Sequence, residues 1–129
     1  MITIDTNLLV RILTNDDPLQ ARRAVKILQS GEVFIPKTVI LETQWVLHYA
    51  YTITKADIIS GFQKLLGLPN VYPENSESVS QAISWYEQGL DFADALHLAS
   101  SSGSDKFATL DITFAKKARK VSSIEIIKA

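Results

Sequence analysis

The chain has 129 residues, 47% of them hydrophobic and 21% charged, with a formal net charge of −1. That balance belongs to an ordinary globular chain of one domain, here residues 1–129, not to a disordered or fibrous one, and the charge does not mark a nucleic-acid binder. There is no cysteine, which excludes disulfides, thiolate zinc sites and cysteine nucleophiles together. No apolar run reaches the ~20 residues of a membrane span, and the opening MITIDTN lacks a signal-peptide pattern, so a cytoplasmic protein with no membrane partner is expected.

Short β-branched runs alternate with longer helical patterns along the chain. MITID reads as a strand and TNLLVRIL as the helix after it. DPLQARRAVKILQSG is a helix punctuated by Asp17 as N-cap, Pro18 at its first position and Gly31 at its end. EVFIP is a second strand. TVILETQWVLHYAY is a long apolar helix with Thr38 as its expected cap, and TKADIISGFQKLLG carries the capping box Thr54-x-x-Asp57 and stops at Gly67. NVYP is a third strand, SESVSQAISWYEQG a helix ending at Gly89, and DFADALHLA a further helix. KFATLD, TFAKKARK and IEII complete the chain as strand, helix and strand. Strands separated by helices imply parallel pairing, so the expectation is a three-layer α/β/α domain with a parallel sheet of about five strands.

Ligands of open parallel sheets bind beyond the carboxyl ends of the strands, where helices begin. Asp5 ends the first strand and Asp111 the fourth. Asp91 and Asp94 open a helix, three residues apart on one face, with no Lys or Arg within a turn. Glu42 lies in the second turn of the helix after the second strand. All five can face one sheet edge. Helix N-termini favour a carboxylate by about 0.3–1 kcal/mol, whereas two carboxylates ~4 Å apart repel by about 4 kcal/mol at an effective dielectric of 20. Either some of these acids are protonated or a divalent cation sits among them, and hard oxygen donors favour Mg²⁺ or Mn²⁺ over zinc.

Each acid also has a structural reading. Asp91 and Asp111 suit N-caps, Asp5 suits a turn, and Glu42 suits a solvent-facing position; Asp94, in an otherwise apolar helix, has the weakest structural excuse. Of the fourteen acidic side chains, these five leave nine against thirteen basic ones, consistent with an acidic pocket in a mildly basic surface.

With Asp5, Glu42, Asp94 and Asp111 in this order on these elements, the sequence resembles the PIN-domain nucleases, and among them the VapC-type toxins of toxin-antitoxin pairs. The matching residues are Asp5-Thr6-Asn7, the Glu42 helix, DFADALHLA and the TLD at 109–111, so the resemblance covers essentially the whole chain. It implies a sheet of order 3-2-1-4-5, RNA cleavage dependent on Mg²⁺ or Mn²⁺, a homodimer, and a cognate antitoxin. It also implies Asp5, Glu42, Asp94 and Asp111 as the catalytic, metal-binding set, supported by Thr6, Asn7, Thr109 and, as an additional acid, Asp91.

The chemistry such a set supports is phosphodiester hydrolysis by a metal-activated water. Phosphate contact would fall to Lys116, Arg119 and Lys120 on the helix after Asp111, and to Arg11, with Arg22 and Arg23 further candidates; a solvated surface is the alternative for all of them. His48 and His97 form no metal-ligand spacing, and His97 is expected within the packed helix or at its boundary. Trp45, Tyr49, Tyr51 and Trp85 suit core or interface. A receiver domain would need an adjacent acidic pair after the first strand, and a dehalogenase-type phosphatase an Asp where Asn7 stands. No glycine spacing makes a phosphate loop. A non-catalytic binding or scaffold module of the same fold, or a related RNA- or DNA-processing nuclease, remains the alternative.

Overall fold

The computed structural model describes Met1–Ala129, and the chain divides into two compact units, Met1–Ser76 and Glu77–Ala129. The first contains β1 (Ile2–Thr3), α1 (Thr6–Thr14), α2 (Pro18–Leu28), β2 (Val33–Ile35), α3 (Lys37–Tyr49), α4 (Lys55–Leu66) and β3 (Val71–Pro73). The second contains α5 (Ser76–Glu87), whose first residue falls at the boundary, then α6 (Phe92–Ala99), β4 (Lys106–Thr109), α7 (Ile112–Val121) and β5 (Glu125–Lys128). Every strand pair is parallel, as strands joined through helices must be.

In the N-terminal unit β2 is central, pairing Val33 with Ile2 on one side and with Val71 on the other. Val33 and Ile35 are fully buried. Pro73, which has no N–H for a ladder, ends the edge strand β3. β1 is shorter than MITID suggested: it stops at Thr3, and Ile4 follows as a buried residue whose N–H reaches the Phe34 carbonyl at 3.3 Å. The ladders run β3-β2-β1 here and β4-β5 in the second unit, two parts of the implied order 3-2-1-4-5.

Side-chain caps start most of these helices. Asp17 accepts from the Gln20 N–H above Pro18, and the Thr54 hydroxyl accepts from the Asp57 N–H. α3 departs from expectation. It begins at Lys37, one residue before Thr38, with Pro36 as a cap lacking any side-chain hydrogen bond. The missing acceptor comes from β3's end, where Glu74 Oε1 takes the Lys37 N–H at 3.0 Å. α3 then buries Ile40, Thr43, Gln44 and Leu47 on one face, the spacing of an amphipathic helix.

Thr43 is completely buried and its hydroxyl has no hydrogen-bond partner. An unsatisfied buried hydroxyl costs about 1–3 kcal/mol, so Thr43→Val is expected to raise the urea midpoint by about 1 kcal/mol equivalent. A lower midpoint would mean that the hydroxyl is satisfied.

The C-terminal unit is centred on α5 and α6. Val79, Ala82, Phe92, Ala95 and Leu98 are fully buried, and the Tyr86 and Phe92 rings meet edge-on at 5.3 Å. Ser78 donates to the Ala99 carbonyl and Trp85 Nε1 to the Val121 carbonyl, tying α5 to the ends of α6 and α7. Gly89, at φ +114°, makes the turn between α5 and α6 in a conformation that side chains rarely adopt. No helix is long and apolar enough to cross a membrane.

Candidate active site

Three of the five acids open helices. Asp5 Oδ1 accepts from the Leu8 N–H at 3.0 Å, Asp91 Oδ2 from the Asp94 N–H at 3.1 Å, and Asp111 Oδ1 from the Phe114 N–H at 2.9 Å. Each is the N-cap of its helix, α1, α6 and α7 respectively. A cap uses one carboxylate oxygen. The second oxygen of each acid makes no hydrogen bond within the chain and stays available at the positive end of a helix dipole.

In the N-terminal unit Asp5 is followed directly by Thr6, whose hydroxyl donates a hydrogen bond to Glu42 Oε1. The start of α1 is thereby linked to the second turn of α3. Glu42 itself is exposed, as is Asn7, which makes no side-chain hydrogen bond.

In the C-terminal unit Asp94 differs from the caps. It is half-buried and its carboxylate accepts no hydrogen bond. Desolvation raises its pKa above the ordinary aspartate value, the charges of Asp91 and Asp111 raise it further, and His97 partly opposes them. Burial and like charge together disfavour the ionised carboxylate, and His97 offsets them only in part. Thr109 supports the neighbouring turn by accepting the Asp111 N–H on its hydroxyl at 3.0 Å. Two large apolar side chains flank Asp111 in solvent: Leu110 is 81% exposed and Ile112 65%.

The predicted residues thus fall as Asp5, Thr6, Asn7 and Glu42 in one unit and Asp91, Asp94, Thr109 and Asp111 in the other. Within neither unit do three or more Asp, Glu or His gather into a group able to hold a metal ion. The donors are nonetheless all hard carboxylate oxygens, and Asp94, only partly offset by His97, is the kind of group a divalent cation would compensate.

The basic residues divide. Lys116 and Lys120 are exposed on α7. Arg119 donates to the Ile126 carbonyl at 3.0 Å and joins α7 to β5. Arg11 is engaged inside its own unit: its guanidinium meets Asp16 at 2.9 Å, the Tyr51 hydroxyl at 3.0 Å and Gln20 at 2.7 Å. The Tyr51 hydroxyl in turn donates to Asp16 at 2.8 Å, and this bond, with those from Thr14 and Arg11, holds the Asp16 carboxyl below the usual range. This clasp between the ends of α1 and α3 was not foreseen, because Tyr51 lies forty residues from Arg11 in sequence. His97, expected in or beside the packing of α6, is exposed; Leu96 and Leu98 on either side of it fill the buried positions.

The PIN domain family pattern matches residues 2–120. No curated protein matches the chain. Among solved structures, the crystal structure of Mycobacterium tuberculosis VapC20, a sarcin-ricin-loop-cleaving toxin, aligns at 17% identity and a TM-score of 0.45, over 90% of this chain and 94% of that one. With a match across 2–120, the chain belongs to the PIN-domain family of nucleases.

Proposed function

We propose that this protein is a divalent-metal-dependent endoribonuclease and the toxin of a VapBC-type pair, working in the cytoplasm as a homodimer that a cognate antitoxin restrains. The reading takes residues 1–129 as one functional domain in which Asp5, Glu42, Asp94 and Asp111 act together. The observation that carries it is Asp94, a half-buried carboxylate that accepts no hydrogen bond and lies in the field of Asp91 and Asp111. The PIN-family match supports the nuclease class, and the ordered acids with Asp5-Thr6-Asn7 support the toxin branch.

Asp5, Asp94 and Asp111 would hold Mg²⁺ or Mn²⁺, with Glu42 completing the set. When bound, such an ion lowers the pKa of a coordinated water and neutralises charge on the phosphate. The chain's own groups do the rest. The caps hold Asp5 and Asp111 with one oxygen fixed, which sets the direction of the other. Thr6 occupies Glu42 Oε1, leaving Oε2 to hold a second ion or orient the attacking water. Lys116 and Lys120 supply positive charge for the strand.

The test is cleavage of a panel of RNAs with Mg²⁺ or Mn²⁺ against EDTA. Metal-dependent cleavage leaving 5′-phosphate and 3′-hydroxyl ends is expected. Ends carrying 2′,3′-cyclic phosphate would sink the mechanism, because they require the ribose hydroxyl as nucleophile. The rival reading, a non-catalytic binding module, draws on a specific observation too: Asp5, Asp91 and Asp111 are each accounted for as helix caps. It predicts no cleavage and no metal binding by calorimetry.

A further inference from the structure

We propose that the exposed face of α3 beside Glu42 is an aromatic platform on which unpaired bases of the RNA strand stack, an inference that rests on the endoribonuclease reading. The buried face of α3 is filled by Ile40, Thr43, Gln44 and Leu47. The opposite face carries Glu42, Trp45 and Tyr49, at the i, i+3, i+7 spacing that aligns side chains along one helical stripe. Trp45 is 57% exposed and Tyr49 62%. Their ring centroids are 5.3 Å apart with planes tilted by 40°, and His48 meets Tyr49 edge-on at 4.6 Å. The rings are therefore ordered against one another while more than half of each residue remains exposed.

Three considerations favour bases as the occupant. The two rings together expose on the order of 250 Å², far below the ~800 Å² that each partner of a stable protein interface buries. The stripe is bordered by exposed polar groups, Thr38, Glu42 and His48, as a wet groove would be. It also runs away from Glu42 for seven residues, about 10.5 Å of helix, or roughly three stacked nucleotides at ~3.4 Å each. A strand whose phosphate lies at Glu42 is thus within reach of both rings. Stacking on aromatic faces is tolerant of sequence and demands unpaired bases, so the platform selects single-stranded RNA or loops over duplex.

The protein carries its own reporter. Trp85 is buried and hydrogen-bonded to a carbonyl, so fluorescence quenching by a bound oligonucleotide reads Trp45. Titrations use the full chain with Asp94→Asn and Mg²⁺ present, which suppresses cleavage, and follow anisotropy of a labelled, unstructured RNA alongside the intrinsic signal. Trp45→Ala and Tyr49→Ala are each expected to weaken binding about tenfold without moving the thermal midpoint, while Trp45→Phe and Tyr49→Phe hold within a few-fold. Duplex RNA of the same length binds all variants alike. With Asp94 restored, the alanine variants raise KM and keep kcat. Unchanged affinity in the alanine variants while the parent still cleaves RNA overturns the platform and leaves the nuclease reading intact. A wild-type chain that cleaves no RNA, with an Asp94→Asn chain that binds none, overturns both. Loss of a dimer in sedimentation on Trp45→Ala, with RNA affinity unaltered, assigns the face to a second copy instead and overturns the platform.

Discussion

Asp94→Asn is expected to lower RNA cleavage by about 100- to 1000-fold, the effect of losing several kcal/mol of transition-state charge stabilisation, and at the same time to make the metal-free protein more stable at neutral pH. The second half follows from the sign of the shift. Asp94 titrates above its ordinary 3.8 in the folded chain because of desolvation and the charges of Asp91 and Asp111, so the fold prefers the protonated form. Its ionised form therefore destabilises the fold, fully so above the folded pKa, and the penalty is relieved as pH falls through that value. Asparagine carries no such penalty. In thermal melts with EDTA the variant's advantage should be largest near pH 7 and close toward pH 4. Mg²⁺ should raise the wild-type midpoint and leave the variant's unmoved, since ligands stabilise only the state that binds them. A variant less stable than wild type at pH 7 would mean that Asp94 has a structural partner and would remove the main observation behind the nuclease mechanism.

The same substitution separates Asp94 from its neighbours. Asparagine caps helices about as well as aspartate, whereas alanine at a cap costs about 1 kcal/mol. Asp5→Asn, Asp91→Asn and Asp111→Asn therefore keep their caps at Leu8, Asp94 and Phe114 while removing charge, so a loss of cleavage in them reads chemistry and not folding.

Much of this was legible locally. Asp17 before Pro18, Thr54 before Asp57, and Asp91 three residues ahead of Asp94 announce caps because a cap is decided within four residues. Asp94 stood out for the same reason: a turn of helix without a cation is visible in sequence. What stayed hidden depends on partners far apart in the chain. Glu74 caps α3 from thirty-seven residues away, so the helix starts ahead of Thr38. Tyr51 closes on Arg11 and Asp16 across forty and thirty-five residues, which turns a candidate phosphate contact into part of a clasp. The exposure of Trp45 and Tyr49 was equally hidden, since a Trp at i and a Tyr at i+4 fit a core stripe as well as a surface one. The boundary near Ser76 leaves no composition shift, glycine or proline run to mark it.

Phe92→Ala is expected to cost about 3–5 kcal/mol, a large part of the 5–15 kcal/mol that holds a typical domain. Phe92 is fully buried against Tyr86 and stands between the Asp91 cap and Asp94, so truncation leaves a cavity directly under the acidic turn. The variant also tests whether residues 1–129 behave as one domain. Trp85, buried in the C-terminal unit, becomes the single tryptophan in a Trp45→Phe background, and far-UV circular dichroism reports the helices of both units. If the chain unfolds as one, Phe92→Ala moves both urea transitions together to a lower midpoint. If the units unfold separately, the Trp85 signal moves alone and the dichroism splits into two steps, with Met1–Ser76 melting where it did before. Coincident transitions would mean that residues 1–129 unfold as one cooperative domain.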